Sequence, residues 1–239
     1  MLNPDRRSIA ETSLLHLLAR RLAVPPEWPA VEKAIQERLA TEGRFVLLGR
    51  TGALRELMVW GRQREVLEPV DLPDRSLRVR VIYLEDFTSL GWGDWATCGR
   101  RGAGGWATGN ALHAVTPRYA SLLSEEFRVT FLRHEAQHSA DLARFPGLSP
   151  WELEYRAKLT ELAQVRTTRM RVLRKFLEDQ SAEPSHPHGY ANRKVLRDVA
   201  DRLRVDQPSA LTSVDVEALN AAATALHRED SSARLQAAE

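Results

Sequence analysis

Two histidines near the middle of the chain have the spacing of metal ligands. Residues 134–138 read HEAQH, which places His134 and His138 four positions apart and Glu135 directly after the first of them. On an α-helix such positions lie on one face, one turn apart, so both imidazoles can bind one ion. Glu135, one step round the helix, can take a proton from a water molecule at that ion. The spacing therefore predicts metal-assisted hydrolysis.

A site of this kind needs a third protein ligand and a position left open for water. No further histidine follows His138 at the spacing HExxHxxGxxH, so the ligand is expected from the next helix, SPWELEYRAKLTELAQ (149–164). Glu154 lies 16 positions beyond His138, after a loop, FPGLSP (145–150), that can reverse the chain. We predict Glu154 as the third ligand. Glu161, two turns into the helix on the same face, is the alternative.

The start of this helix has its own sequence signature. Ser149 is a natural N-cap, Pro150 suits the first helical position, and Glu152 completes a capping box. The capping box gives Glu152 a structural task, which leaves the other two glutamates of the helix available to a metal. For those two glutamates, the competing interpretation is surface charge balanced by Arg156 and Lys158.

Hydrophobic periodicity orders the chain as helices, then strands, then further helices. Helical spacing covers residues 7–23 and 29–40. Apolar runs predict strands at residues 45–49, 56–60 and 77–84, and the Gly- and Trp-rich segment 89–109 predicts turns. Helical patterns return at residues 117–144 and 150–178. We predict one domain over residues 1–239 with an α+β fold, in which a small, mostly antiparallel sheet precedes the metal-binding helix pair and further C-terminal helices. The predicted regions are N-terminal helices 7–40, sheet 44–116, metal-site helices 117–178 and C-terminal helices 190–228.

The composition predicts an ordinary globular protein. Charged residues make up 28% of the chain with a net charge of +2, and no block of about five like charges occurs, so we predict no nucleic-acid binding. No apolar run approaches about 18 residues, which predicts no membrane span, and the amphipathic N-terminus does not resemble a secretory signal. The single cysteine, Cys98, fits a reducing compartment, so we expect a cytoplasmic protein. The oligomeric state is left open.

HEAQH, a break and a helix with LEYRAKL together resemble the gluzincin group of zinc metallopeptidases, over about residues 127–165. The resemblance implies a Zn²⁺ ion held by the two histidines and Glu154, on a helix pair beside a small sheet, and a peptide or protein substrate. Many members have an acidic residue four positions after the ligand glutamate, where this chain has Lys158. Asp141 is then the candidate for hydrogen-bonding support behind a histidine.

Peptide hydrolysis also needs a group that stabilises the oxyanion opposite the metal. The segment PSHPHGYANR (184–193) clusters the candidates, and we predict Tyr190 first and His188 second. A Pro-rich surface loop is the alternative for this segment. A substrate strand is expected to add to an exposed sheet edge, for which GGWATGNALHAV (104–115) is the candidate, with Trp106 near the cleft. A buried strand with Trp106 in the core is the alternative.

Three functions follow from these patterns. The leading hypothesis is a zinc-dependent peptidase with Glu135 as general base. The second is a metal-binding or inactive zincin-like scaffold that acts as a protein-interaction module, against which the intact Glu135 argues. The third is a helical interaction protein in which HEAQH is a chance match, supported by the basic helix 166–179. That helix is more simply interpreted as amphipathic, with solvated arginines.

Overall fold

The computed structural model describes residues 6–51 and 54–237 of the chain. Helices come first, then strands, then a helical second half, which confirms the predicted α+β class. The chain forms two compact units, one of Met1–Arg64 with Leu84–Ala103 and one of Glu65–Tyr83 with Gly104–Glu239. We refer to them as unit 1 and unit 2. The single-domain interpretation stays a prediction.

Unit 1 contains the N-terminal helices and the beginning of the sheet. Helix α1 spans Arg7–Leu22 and α2 spans Trp28–Thr41, close to the predicted bounds. Strand β1, Phe45–Thr51, pairs antiparallel with the first part of β2, Leu54–Leu72. The segment predicted to form turns contains a short helix α3, Trp92–Ala96, which the glycines flanking it in sequence had argued against.

Unit 2 contains the rest of the sheet and the helical half of the chain. Strand β3 spans Arg75–Leu90, of which residues 75–83 belong to unit 2 and residues 84–90 to unit 1. Strand β4, Gly105–Thr108, pairs antiparallel with β5, Ala111–Val115. The strand order is β1-β2-β3-β5-β4, so β4 is an edge strand. The helical elements are a 3-10 turn Thr116–Arg118, a π-helical segment Glu126–Arg133, α4 His134–Arg144, α5 Pro150–Gln164, α6 Arg169–Glu178, α7 Pro187–Leu203, a 3-10 helix Pro208–Ser213 and α8 Val216–Gln236.

The core of unit 2 has two parts. In the first, the alternating pattern of β3 buries Val79, Val81 and Tyr83, and this face packs with Phe127 and Ala136 of the helices that contain the motif. Alternation of this kind is the period-two pattern of a strand with one buried face. The second part lies between the four helices α5, α6, α7 and α8. Each helix contributes fully buried side chains, among them Leu159, Leu173, Leu196 and Ala223.

The predicted helix 150–178 is interrupted between α5 and α6. The carboxylate of Glu125 accepts hydrogen bonds from the backbone N–H of Thr167 and from the hydroxyl of Thr168, both at 2.8 Å. These bonds satisfy donors at the start of α6, which is the role of a helix cap supplied from elsewhere in the chain. Burial opposes ionisation of Glu125, but the hydrogen bonds prevail and lower its pKa to about 2.

The predicted C-terminal boundaries also differ from the structure. Helix α7 begins at Pro187, so His188 and Tyr190 belong to its first turn rather than to a loop. Proline suits this position because the first N–H groups of a helix have no partner within the helix. Helix α8 continues to Gln236, beyond the predicted end at 228.

His227 on α8 is fully buried, and within residues 6–51 and 54–237 neither ring nitrogen has a hydrogen-bond partner. Burial, together with the charge of Arg156, lowers its pKa from 6.5 to about 4. Between these two pH values the unfolded chain binds a proton that the folded protein does not. The contribution of a neutral His227 to stability is therefore complete above about pH 6.5 and is lost as the pH falls toward 4.

We expect the His227→Leu substitution to remove this part of the pH dependence. Between pH 7.5 and pH 5 the parent should lose about 2 kcal/mol of unfolding free energy through His227 alone, measured by urea unfolding. The control is His16→Leu, because His16 is exposed on α1. A pH slope that is the same in parent and His227→Leu would contradict the assignment.

Candidate metal centre

Helix α4 directs the residues of HEAQH to different surroundings. Its first residue, His134, directly follows the π-helical segment, a wider backbone turn that often occurs at functional sites. Ala136 is fully buried against the sheet, and Gln137 is 1% exposed. His134 and His138 lie together on the remaining face, with their ring centroids 4.7 Å apart. The i, i+4 arrangement predicted from the spacing is present.

Helix α5 brings the glutamate back to the two histidines. The predicted capping box is confirmed, because the amide and the hydroxyl of Ser149 donate to Glu152 Oε2 at 2.8 and 2.6 Å. Glu152 is thereby held at the helix start. Glu154, which is 8% exposed, points its carboxylate at the histidine pair. Of the two glutamates that the sequence left open, Glu154 is the one that joins both histidines in a possible metal-binding group.

One ligand atom from each of the three side chains lies within 4.8 Å of the others, so the side chains can converge on one metal ion. His134 Nε2 and His138 Nε2 are 3.0 Å apart, His138 Nε2 lies 3.3 Å from Glu154 Oε1, and His134 Nε2 lies 3.7 Å from Glu154 Oε2. Ligands about 2.1 Å from a tetrahedral zinc ion stand about 3.3 Å from one another. The two glutamate distances involve different carboxylate oxygens, so the three side chains are close enough to share one metal ion without defining its geometry.

Glu161, the alternative ligand, has a different position. Its carboxylate is 3% exposed and lies 2.7 Å from Nδ1 of His134. A hydrogen bond from Nδ1 keeps the proton on that nitrogen and leaves Nε2 free to bind a metal. Asp141, predicted as the support behind a histidine, instead accepts hydrogen bonds from Gln137 and Arg156. Glu161 is thus the carboxylate that orients a histidine.

Two buried polar atoms at the centre have no hydrogen-bond partner among the described residues. They are His138 Nδ1 and Glu154 Oε2. Glu154 Oε2 has close polar neighbours, with His188 Nδ1 at 2.8 Å and Lys158 Nζ at 3.4 Å. A buried carboxylate oxygen without a hydrogen bond is costly unless another group satisfies it. A metal ion beside Glu154 would do so, and the donor set fits one.

Positive charge surrounds Glu154. Burial opposes its ionisation, but close contacts with His138 and His188 and the charges of His134 and Lys158 prevail, so its pKa lies below the usual range. Lys158 is itself 4% exposed and packs its Nζ over the ring of Phe176 at 5.0 Å. The carboxylate is therefore ionised at neutral pH and ready to act as a ligand.

Glu135 is the charged residue of the HEAQH motif whose side chain has no bonding partner among the described residues. It is partly exposed, and in residues 6–51 and 54–237 its carboxylate takes part in no hydrogen bond or ion pair. It follows directly after a proposed metal ligand on α4. A carboxylate in this state can accept a proton from a water molecule bound beside it.

The two predicted oxyanion groups have different positions. His188 lies at the centre, with its Nδ1 next to Glu154, and its side chain is 66% exposed. Tyr190 packs edge-on against Trp151, with ring centroids 5.1 Å apart. Tyr119, which the sequence interpretation did not consider, lies close enough to Glu135 for that charge to raise its pKa, although burial is the larger cause. Its hydroxyl donates to the carbonyl of Gly104 at 3.1 Å.

A buried polar network ties α4 to the helices behind it. Gln137 accepts a hydrogen bond from Thr160 on α5 at 2.9 Å. Arg156, which is 1% exposed, donates to Asp141 on α4 at 2.9 Å and to Ser231 on α8 at 3.0 Å, and also pairs with Asp230. No periodicity signal could have identified this network, because α5 is buried on nearly every face and shows little amphipathic pattern.

Comparison of the chain with models of known protein families, with curated proteins and with solved structures gives no match. Among the described residues, no helix is both long enough and apolar enough to cross a membrane. The functional argument therefore rests on the chemistry and geometry of the centre.

We expect the Glu161→Ala substitution to weaken metal binding without abolishing it. Loss of a carboxylate that orients a ligating histidine typically lowers metal affinity by about 10–100-fold. Zinc affinity can be measured by competition with a chromogenic chelator, with Glu178→Ala as the control because Glu178 is exposed on α6. If Glu161→Ala abolished binding while Glu154→Ala preserved it, the two glutamates would exchange roles.

We expect the Arg156→Met substitution to destabilise the fold, because it leaves Asp141 and Asp230 without their buried partner. Breaking a buried ion pair from one side costs about 3–5 kcal/mol, measurable by urea unfolding. Arg197→Met is the control, since Arg197 is exposed on α7, and it should change stability by less than about 0.5 kcal/mol. A loss below about 1 kcal/mol for Arg156→Met would show that the network contributes little.

Proposed function

We propose that this protein is a zinc-dependent peptidase of gluzincin type that acts in the cytoplasm. The observation that carries the proposal is the convergence of His134, His138 and Glu154 within metal-binding distance, with the carboxylate of Glu135 on the same helix as the histidines. Zinc prefers nitrogen and carboxylate donors of this kind.

In this mechanism the protein residues hold the metal, orient its histidine ligand and transfer the proton of the attacking water. A bound zinc ion would polarise the scissile carbonyl and lower the pKa of the attacking water. Glu135 accepts the proton of that water and then delivers it to the leaving amine. Glu161 holds His134 in the tautomer that binds through Nε2, and Glu154 supplies a negative charge. We infer that His188, whose Nδ1 lies 2.8 Å from Glu154 Oε2, donates to a developing oxyanion in preference to Tyr190, whose ring packs against Trp151.

The edge strand supports a polypeptide substrate. Strand β4 is the last strand in the order, and Ala107 and Thr108 within it are exposed. An extended peptide can add to such an edge through backbone hydrogen bonds, as predicted for segment 104–115. Trp106 is partly exposed and stacks on His113, with centroids 5.1 Å apart, so it is not a core residue.

The alternative function is a metal-binding module without turnover. The contact that favours it is that of Lys158 with Glu154, since the ammonium adds positive charge where a metal would bind. Such charge lowers the affinity for a cation. A measurement of peptide hydrolysis distinguishes the two functions, because only the peptidase would cleave a peptide.

The decisive experiment measures metal content and hydrolysis in the same preparations. We expect one zinc per chain in the parent, and loss of zinc in His134→Ala and Glu154→Ala. Glu135→Gln should keep the metal and lower hydrolysis of a fluorogenic peptide library by at least about 100-fold, because a general base contributes about 10²–10⁴. Glu183→Gln, at an exposed site, is the matched control.

Each outcome has a distinct meaning. Iron and manganese should be measured beside zinc, because two histidines and one carboxylate also bind Fe²⁺. A parent that takes up no metal after supplementation would refute the proposal. Metal without any Glu135-dependent turnover would favour the binding module.

A further inference from the structure

Unit 1 contains a cavity with a volume of about 570 Å³ and mostly apolar walls. Helix α1, helix α2, one face of strands β1 and β2, and the short helix α3 surround it. Ligand-binding cavities of proteins typically have volumes of about 300–1,000 Å³ and mainly hydrophobic and aromatic walls. We call this site the apolar cavity.

Regular spacing in the sequence produces the apolar walls. On each helix the lining leucines and isoleucine recur at intervals of about one turn, which places them on one face. They are Leu14, Leu18 and Leu22 on α1 and Ile35 and Leu39 on α2. On the sheet, Leu48 of β1 is directly opposite Leu57 of β2, so both side chains lie on the same face. Three elements thus turn their apolar faces toward one volume.

Unit 1 leaves much of this apolar surface open. Both hydrophobic clusters of the core lie in unit 2. In the described part of unit 1, the buried apolar residues are Ala19, Val31, Met58, Val59, Trp60 and Leu84. Leu14, Leu57 and Trp95, which line the cavity, are 38%, 42% and 72% exposed. Protein interiors are normally close-packed, so apolar walls that converge and stay exposed indicate a place for a ligand.

The charged groups of the cavity are already balanced by protein groups or by solvent. The Arg55 guanidinium stacks over the Trp28 ring at 4.0 Å and donates to Glu32 at 2.9 Å. Its Nε donates to Glu11, also at 2.9 Å. The side chain of Arg38 is 69% exposed, so its charge stays in water.

Two further polar residues hold the walls together. Glu56 Oε1 accepts hydrogen bonds from the backbone N–H groups of Leu57 and Trp92 at 3.0 and 3.1 Å, which ties α3 to β2. The Ser89 hydroxyl donates to the carbonyl of Leu57 at 2.7 Å. A side chain at Gly91 would collide with Glu56, so this close approach requires glycine. These polar groups are therefore occupied before any ligand enters.

The balance of charge favours an uncharged ligand. Among the lining residues, Arg38 and Arg55 supply two positive charges, and Glu32 and Glu56 supply two negative charges. A charged ligand would lose its hydration without gaining an opposite charge that is not already paired. An extended peptide would bring backbone N–H and C=O groups that also need partners. A hydrocarbon-rich, uncharged molecule has neither cost.

The volume of the cavity limits the size of such a molecule. One water molecule takes about 30 Å³ of liquid, so the cavity has the volume of about 20 water molecules. A chain or ring system with about that number of carbon atoms matches it.

We propose that unit 1 binds an uncharged, hydrocarbon-rich small molecule of lipid-like chemistry in the apolar cavity. The inference is independent of the proposed peptidase function. All lining residues belong to unit 1, whereas the three candidate metal ligands belong to unit 2.

The test uses the full-length protein and Nile red, an uncharged probe whose fluorescence increases in apolar surroundings. The competitors are dodecanol, dodecanoate and dodecylammonium, which share one chain and differ in the charge of the head group. We expect Nile red to bind the parent, and dodecanol to displace it at a lower concentration than either charged competitor. Dodecanol should also raise the midpoint of thermal unfolding, because a ligand that binds only the folded state stabilises it.

Leu14→Gln should lower the affinity for Nile red about fivefold or more, because a polar amide replaces part of the apolar wall. Leu17→Gln is the matched control, since Leu17 is 42% exposed on the same helix and lies outside the cavity. Ile35→Trp should also lower the affinity, because the larger side chain occupies part of the cavity without adding charge. Circular dichroism establishes that the three variants are folded.

Several outcomes would overturn the proposal. Absence of Nile red binding to the parent, or equal affinities of Leu14→Gln and Leu17→Gln, would show that the cavity is not a binding site for such molecules. Displacement by dodecanoate or dodecylammonium at a lower concentration than by dodecanol would contradict an uncharged ligand. A dimer that Leu14→Gln dissociates in sedimentation velocity, in a protein that does not bind Nile red, would assign the cavity to a second copy of the chain.

Discussion

The arrangement of the candidate centre depends on how α5 packs against α4. The two histidines belong to one helix and the glutamate to the other, so no local rule sets the distance between them. The buried ion pair of Arg156 and Asp141 and the hydrogen bond between Thr160 and Gln137 join the two helices directly behind the donors. Because these groups are desolvated, a shift of one helix would leave charges and amides without partners, which is strongly unfavourable. The network thus favours one relative position of the helices.

The same network explains why the C-terminal half of the chain matters to a motif in the middle. Arg156 has donors left after binding Asp141, and Ser231 and Asp230 of α8 accept them. Helix α8 also contributes His227, a neutral imidazole that has no hydrogen-bond partner in the described part of the chain and packs in the same region. Helices that follow the motif by about 80 residues in sequence therefore stabilise the wall against which the donors lie.

Charge at the centre is balanced in an unusual way. Glu154 is in contact with both histidines and with Lys158, while the Glu161 carboxylate lies 2.7 Å from Nδ1 of His134. Two carboxylates thus face two histidines and a lysine within a buried volume. A divalent cation would add to the positive charge beside Lys158, whose Nζ lies 5.0 Å from the centroid of the Phe176 ring. His188, largely exposed, can move away more easily.

Much of the secondary structure of this protein follows from local sequence patterns. The i, i+4 spacing of HEAQH, the capping box at Ser149 and the alternation along β3 are properties of neighbouring residues, and each element forms as these patterns predict. The choice between Glu154 and Glu161 was different, because both lie on one face of α5 and only the docking of that helix distinguishes them. The roles of Asp141 and His188 and the break before α6 likewise depend on contacts between residues 15 to 43 positions apart. Side-chain spacing determines which groups can share a face, but burial and long-range hydrogen bonds decide which groups meet.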